Sequence, residues 1–115
     1  MNTKTIFKFA DSVQKILALQ DLEFDWNSYG AEPISHESIK DAIGFLAEYT
    51  NLHTMCPHIA PTTEGGIQLG WYANGIDVEV HIDPNKEISY SIGDEDFFLF
   101  NHEPTLALAI SKLSE

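Results

Sequence analysis

GGIQLGWYANGIDVEVHIDPNKEISYSI, residues 65–92, alternates apolar and polar side chains for most of its length. Ile67, Leu69 and Trp71 alternate with Gln68, Gly70 and Tyr72. Ile76, Val78, Val80 and Ile82 alternate with Asp77, Glu79, His81 and Asp83. Ile88, Tyr90 and Ile92 follow against Ser89 and Ser91. A period of two puts successive side chains on opposite faces, so these are half-buried strands of an antiparallel sheet. Asn74-Gly75 is a two-residue hairpin signal, and Asp83-Pro84-Asn85-Lys86 supplies the next turn. GDED (93–96) then leads into DFFLF (96–100), a further strand with apolar residues on both faces. HIAPT (58–62) adds an edge strand, the one place where Pro61 is tolerated.

Outward from the sheet the period changes. In residues 6–22, Ile6, Phe9, Val13, Ile16, Leu17 and Gln20 fall on one stripe of an amphipathic helix, with Lys8, Asp11, Gln14 and Lys15 turned away. Asp11 is an N-cap candidate for a late start. Ser35 is a good N-cap for a second helix, and Glu37 suits its first turn. Ile39, Ala42, Ile43, Leu46 and Tyr49 form the buried stripe of that helix, which should end near Asn51. Glu103-Pro104 opens a third helix, with Lys112 in its last turn. The expectation is one α+β domain over residues 1–115: two N-terminal helices, an antiparallel meander of three to five strands, and a C-terminal helix.

Between the first two helices lies FDWNSYGAEPIS (24–35), a turn that carries Phe24, Trp26 and Tyr29. Gly30 suits a positive φ there. The rings are expected to plug the open end of the core as structural anchors, while Asp25, Asn27 and Ser28 satisfy backbone groups of the turn. The rival reading is an aromatic docking patch. Gly65, Gly66 and Trp71 are further structural anchors, the glycines by supplying unusual φ angles before Ile67 sets the register.

Charge is the unusual total. Eighteen acids face six bases, and the net charge is −12. Every base is Lys. Residues 1–40 hold four Lys and six acids, net −2, and residues 41–115 hold two Lys and twelve acids, net −10. Nucleic-acid binding needs cations to displace counterions, and arginines to contact bases. Direct binding to nucleic acid or to an anionic membrane is therefore not expected, whereas a basic protein is steered toward this chain. The apolar fraction of 43% is ordinary. No apolar run approaches a membrane span, and MNTKTIFKFADSVQ does not read as a secretory signal. A single cysteine, Cys56, allows no internal disulfide and fits a cytoplasmic location.

WNSYGAEPIS (26–35), IAPTTEGGIQLGW (59–71) and the alternating IDVEVHID together resemble a widespread family of small, mostly uncharacterised bacterial proteins. That family shares a Trp-Asp-x-Tyr-Gly-Ala-x-Pro-Ile element and a Pro-Thr-x-x-Gly-Gly-Ile-x-Leu-x-Trp element. The likeness spans roughly residues 22–92. Asn27 stands where Asp is usual, and Gly70 where Glu often precedes the Trp. The resemblance implies a shared fold and a bacterial or phage origin, and it transfers no active site.

Catalytic constellations are weak. Glu79, His81 and Asp83 would diverge along one strand, so a metal site would need a neighbouring strand, which offers Gln68, Tyr72, Ser89 and Ser91. Cys56-Pro57-His58, with His53 nearby, has no oxyanion-hole motif. Glu64-Gly65-Gly66 lacks the Lys and the helix of a phosphate loop. No catalytic residue, metal or cofactor is assigned. The leading expectation is a non-enzymatic binding protein. Its partner-binding residues are Asp77, Glu79, His81, Asp83, Asp94, Glu95 and Asp96, expected to cluster on adjacent strands and turns against a basic protein, as in an antitoxin, immunity protein or phage anti-defence inhibitor. The second expectation uses the aromatic surface of Trp26, Tyr29, Trp71, Tyr72, Phe98 and Phe100, most simply as a homodimer. A metal-dependent enzyme centred on Glu79 and His81 comes third.

Overall fold

The computed structural model describes residues 9–51, 53–73, 75–99 and 104–113. Helix α1 spans Ala10–Ala18 and runs into a 3-10 turn, Leu19–Asp21. Helix α2 spans His36–Tyr49. Five strands follow: β1 His58–Pro61, β2 Ile67–Ala73, β3 Ile76–Ile82, β4 Ile88–Ile92 and β5 Glu95–Leu99. Helix α3, Pro104–Ser111, comes last. Every strand pairs antiparallel with its neighbour in sequence, in the order β1-β2-β3-β4-β5. The fold is the expected α+β arrangement, with the meander at five strands. Asp96, Phe97, Phe98 and Leu99 lie in β5, at one end of the strand order.

Register decides which residues meet. Directly paired residues share a face. Ile59, Leu69, Val80, Tyr90 and Phe97 form one inner row, and Pro61, Ile67, Ile82, Ile88 and Leu99 another. Tyr90 and Phe97 stack with ring centres 4.9 Å apart. This face packs on Ile16 of α1, on Ile39, Ala42, Phe45 and Leu46 of α2, and on Leu106, Ala109 and Ile110 of α3. Trp71 is buried beside Phe45, and its indole Nε1 donates to the Met55 carbonyl at 2.7 Å. A buried indole left without an acceptor would cost about 1–3 kcal/mol, so this bond holds the Trp71 ring in one orientation. Met55 N–H donates to the Leu113 carbonyl at 2.8 Å, which fastens the end of the chain to the segment before β1.

The turns hold the register. Ala73 pairs with Ile76, and Gly75 takes φ 75° in the loop between them. Its expected companion Asn74 lies outside the described residues. Between β1 and β2 the chain comes so close to its neighbours that only glycine fits. A Cβ on Gly66 would strike the Ile82 carbonyl oxygen, and one on Gly65, at φ 94°, would come within 2.8 Å of the Pro33 carbonyl oxygen. Ser35 caps α2, accepting from Ser38 N–H at 3.0 Å.

Several helical details differ from the sequence reading. Helix α1 begins at Ala10 after Phe9, so Asp11 lies in its first turn, paired with Lys15 at 3.2 Å, and is not the cap. Its buried side is Phe9, Ser12 and Ile16, while Leu17 and Gln20 are exposed. The short helix turns that line toward the sheet, and the small Ser12 allows close approach. On α2, Phe45 joins the core, and Ile43 and Tyr49 are only half-buried. Lys112 follows α3 instead of closing its last turn. Ile6, Lys8, Phe100 and Glu103 lie outside the described residues.

Two glycine substitutions should move stability in opposite directions. Gly66→Ala forces backbone apart and should destabilise by about 1–3 kcal/mol. Gly44→Ala, inside α2 with nothing within 4 Å of the new Cβ, should stabilise by about 0.5–1 kcal/mol. Urea denaturation midpoints measure both.

Candidate functional site: the acidic outer face

A strand that buries Val78, Val80 and Ile82 must turn Asp77, Glu79 and His81 the other way. The register assembles them with their neighbours. One outer row runs Ala60, Gln68, His81, Ser89, Phe98. The next runs His58, Gly70, Glu79, Ser91, Asp96, and Tyr72 pairs with Asp77 beyond it. Asp83 lies just past the end of β3. With Glu64, His81, Pro84, Asn85 and Ser89 it lines an open depression of about 510 Å3. Glu64, from the turn before β2, is a wall of this site that the sequence reading missed. Its nearest sequence signal was the Gly-Gly pair, which bends the chain back toward the end of β3.

Gly70 is central to the face. The Tyr72 ring folds back over it, so a Cβ there would lie 2.7 Å from the ring carbon Cζ. Tyr72 Oη donates to Glu79 Oε1 at 3.0 Å, and Glu79 Oε2 lies 3.5 Å from His81 Nε2. The His58 ring centre is 5.7 Å from that of Tyr72. The space above Gly70 is thus filled by a tyrosine that binds the carboxylate opposite. A glycine two residues before an aromatic on the same face was the available signal.

The expected acidic cluster is only partly assembled. Asp77, Glu79, His81 and Asp96 share the outer face, and Asp83, past the end of β3, lines the depression beside His81. Glu95 pairs with Ile92, in the row of Val78 and Trp71, and so belongs to the helix-side face at the sheet edge. The two-residue turn Gly93-Asp94 sets this phase, since it places Glu95 opposite Ile92. The Gly93 N–H donates to the Asp77 carbonyl at 2.9 Å, which fastens the turn bearing Asp94 to the backbone of β3 at Asp77. Among the described residues, no three His, Cys, Asp or Glu side chains converge to hold a metal ion. Cys56 is exposed.

The connector between α1 and α2 corrects another expectation. Tyr29 is 90% exposed and Phe24 63% exposed, so neither plugs the core. The buried residues of the segment are Ala31 and Ile34. Trp26 is half-buried, with Nε1 donating to the Glu32 carbonyl at 2.7 Å. Of the three polar residues expected to close the turn, the side chains of Asp25 and Asn27 do so, while Ser28 bonds through its backbone N–H. Asn27 Oδ1 accepts from Tyr29 N–H at 2.8 Å and Ala31 N–H at 3.2 Å, and Asp25 Oδ1 accepts from Gly30 N–H at 2.6 Å. Asp25, Ser28 and Gly30 all take positive φ, at 66°, 66° and 80°. This backbone path carries the chain past Tyr29 without turning its ring inward.

Comparison with protein-family models, with curated proteins and with solved structures finds no match. Among the described residues no helix is long and apolar enough to cross a membrane.

Tyr72 gives the face a measurable signature. Partial burial, then the Glu79 hydrogen bond and charge, hold its phenol above the ordinary value of 10.0. The neutral form is favoured in the folded chain, so this contribution to stability is present below pH 10 and fades as pH rises through the folded pKa. Glu79→Gln should lower the Tyr72 pKa part of the way toward 10.0, because burial remains. Alkaline titration of 13C-labelled tyrosine by NMR reads the shift.

Proposed function

We propose that this chain is a non-enzymatic binding protein whose acidic outer face covers a cationic, nucleic-acid-binding surface of a partner protein. The class that suits this is an antitoxin, an immunity protein or a phage anti-defence inhibitor, working in a bacterial cytoplasm. The supporting observation is the distribution of charge. Asp77, Glu79, Asp83, Asp96 and Glu64 lie on or around one face, and none of the five strands contains a lysine. A face of one sign attracts a partner of the other and suppresses wrong partners. It also repels nucleic acid, so such a protein competes for a basic site without binding the nucleic acid itself. The resemblance of WNSYGAEPIS and IAPTTEGGIQLGW to small bacterial proteins is in keeping with this setting.

A second reading is self-association along β5. It rests on β5 standing at one end of the strand order and on Phe98 being 61% exposed. A monomer mass by light scattering that does not change with concentration would remove it.

Affinity capture with the wild-type chain and with the triple variant Asp77→Asn, Glu79→Gln, Asp83→Asn, each at low and high salt, tests the leading reading. Capture of a basic protein should fall with salt for the wild type and be weak throughout for the variant. Equal capture in all four conditions would discard the electrostatic account.

A further inference from the structure

Resting on that reading, we infer that the Phe24–Gly30 turn is the part of the docking surface that takes arginine, receiving guanidinium groups of the partner protein beside the acidic face. The first observation is the exposure of two rings on one short turn. Lone exposed hydrophobic residues are ordinary. Here, however, the backbone adopts three positive φ angles, two of them at non-glycine residues, in a turn that leaves Tyr29 in solvent. The second observation is rigidity. Asp25 N–H donates to the Ala31 carbonyl at 2.7 Å and Ser28 N–H to the Asp25 carbonyl at 2.9 Å. The Asp25 and Asn27 side chains and the Trp26 indole close the remaining gaps. A turn whose backbone is already fixed in this way loses little backbone entropy when a partner arrives.

Charge selects the partner. Between Lys15 and Lys40 the sequence has no lysine or arginine, while Asp21, Glu23, Asp25 and Glu32 flank the rings in sequence and are exposed. Aromatic faces beside carboxylates suit a group that is both planar and cationic. Guanidinium stacks on the ring and bonds the carboxylate at the same time, which an ammonium group does less well. Arginine is also the residue that nucleic-acid-binding surfaces use for bidentate contacts. The chain has no arginine of its own, so one copy cannot offer this group to another.

Position joins the turn to the acidic face. Glu32 N–H donates to the Thr63 carbonyl at 2.9 Å, and Ser35 N–H to the Gly65 carbonyl at 3.0 Å. These bonds fasten the return arm of the turn to the segment carrying Glu64, which walls the depression with His81 and Asp83. The base of the turn therefore adjoins the segment that walls the depression at the edge of the outer face.

The test is an NMR titration of the full 15N-labelled chain at low salt. The probes are an acetylated peptide of alternating arginine and glycine and its lysine counterpart of equal length. Amides of residues 24–32 should shift along with those of the outer strands, and the arginine peptide should bind about threefold more tightly than the lysine peptide. The double variant Phe24→Ala, Tyr29→Ala should abolish that preference, Tyr29→Phe should keep it, and thermal melting should be unchanged because both rings are exposed. The triple carboxylate variant should weaken both peptides alike. Shifts confined to the outer strands, or equal affinity for the two peptides, would overturn this inference and leave the acidic-face reading standing. No shift anywhere would overturn both.

Discussion

The period-two parity of β3 is the constraint on which the rest of the molecule depends. Val78, Val80 and Ile82 are fully buried, and each contributes about 1.5–3 kcal/mol by leaving water. Burying an unpaired carboxylate in their place would cost more than any of them returns. A slip of one residue would send Asp77, Glu79 and His81 into the core, so the register has no competitor. Gly66 packed against the Ile82 carbonyl and Trp71 bonded to the Met55 carbonyl secure that register near either end of β2. Once β3 is set, the pairing carries the same division of faces across all five strands.

The chemistry of the outer face follows from this division. Its acids are spread along strands instead of converging, and they are half-buried or exposed. Tyr72 bridges β2 and β3 through Glu79 and covers Gly70, so the face is smooth at its centre. The depression near Asp83 is open and walled by Glu64. On the reading proposed above, this open and acidic surface is what a broad cationic partner would meet.

The sheet was legible because alternation reports directly on which side of a strand is dry. Ser35 as a cap and Gly65 at its positive φ were legible for the same kind of reason, since each answers a local backbone need, whereas Gly66 takes no unusual φ and is required by its close approach to the Ile82 carbonyl. The helices were harder. A stripe holding Val13, Ile16, Leu17 and Gln20 fits more than one angle of rotation, and packing chose the angle that buries Ser12 and frees Leu17. The tail of the acidic cluster depended on the phase of a two-residue turn at Gly93-Asp94, which separates Glu95 from Asp96. The connector misled because large rings usually mean burial. The Asp25 and Asn27 side-chain oxygens accept from the turn's own backbone and the Trp26 indole bonds the Glu32 carbonyl, so the turn closes without burying Phe24 or Tyr29. The tyrosine over Gly70 had a signal in the Gly-x-Tyr spacing, but the rotamer that folds the ring back is not carried by strand pattern.

Photo-crosslinking inside cells tests the central claim most directly. A crosslinking residue at position 91, beside Glu79 on the outer face, should trap a lysine- and arginine-rich protein. The same residue at position 40, on the exposed side of α2, should not. Equal adducts from both positions, or adducts from position 40 alone, would contradict the assignment of the acidic face as the site of contact.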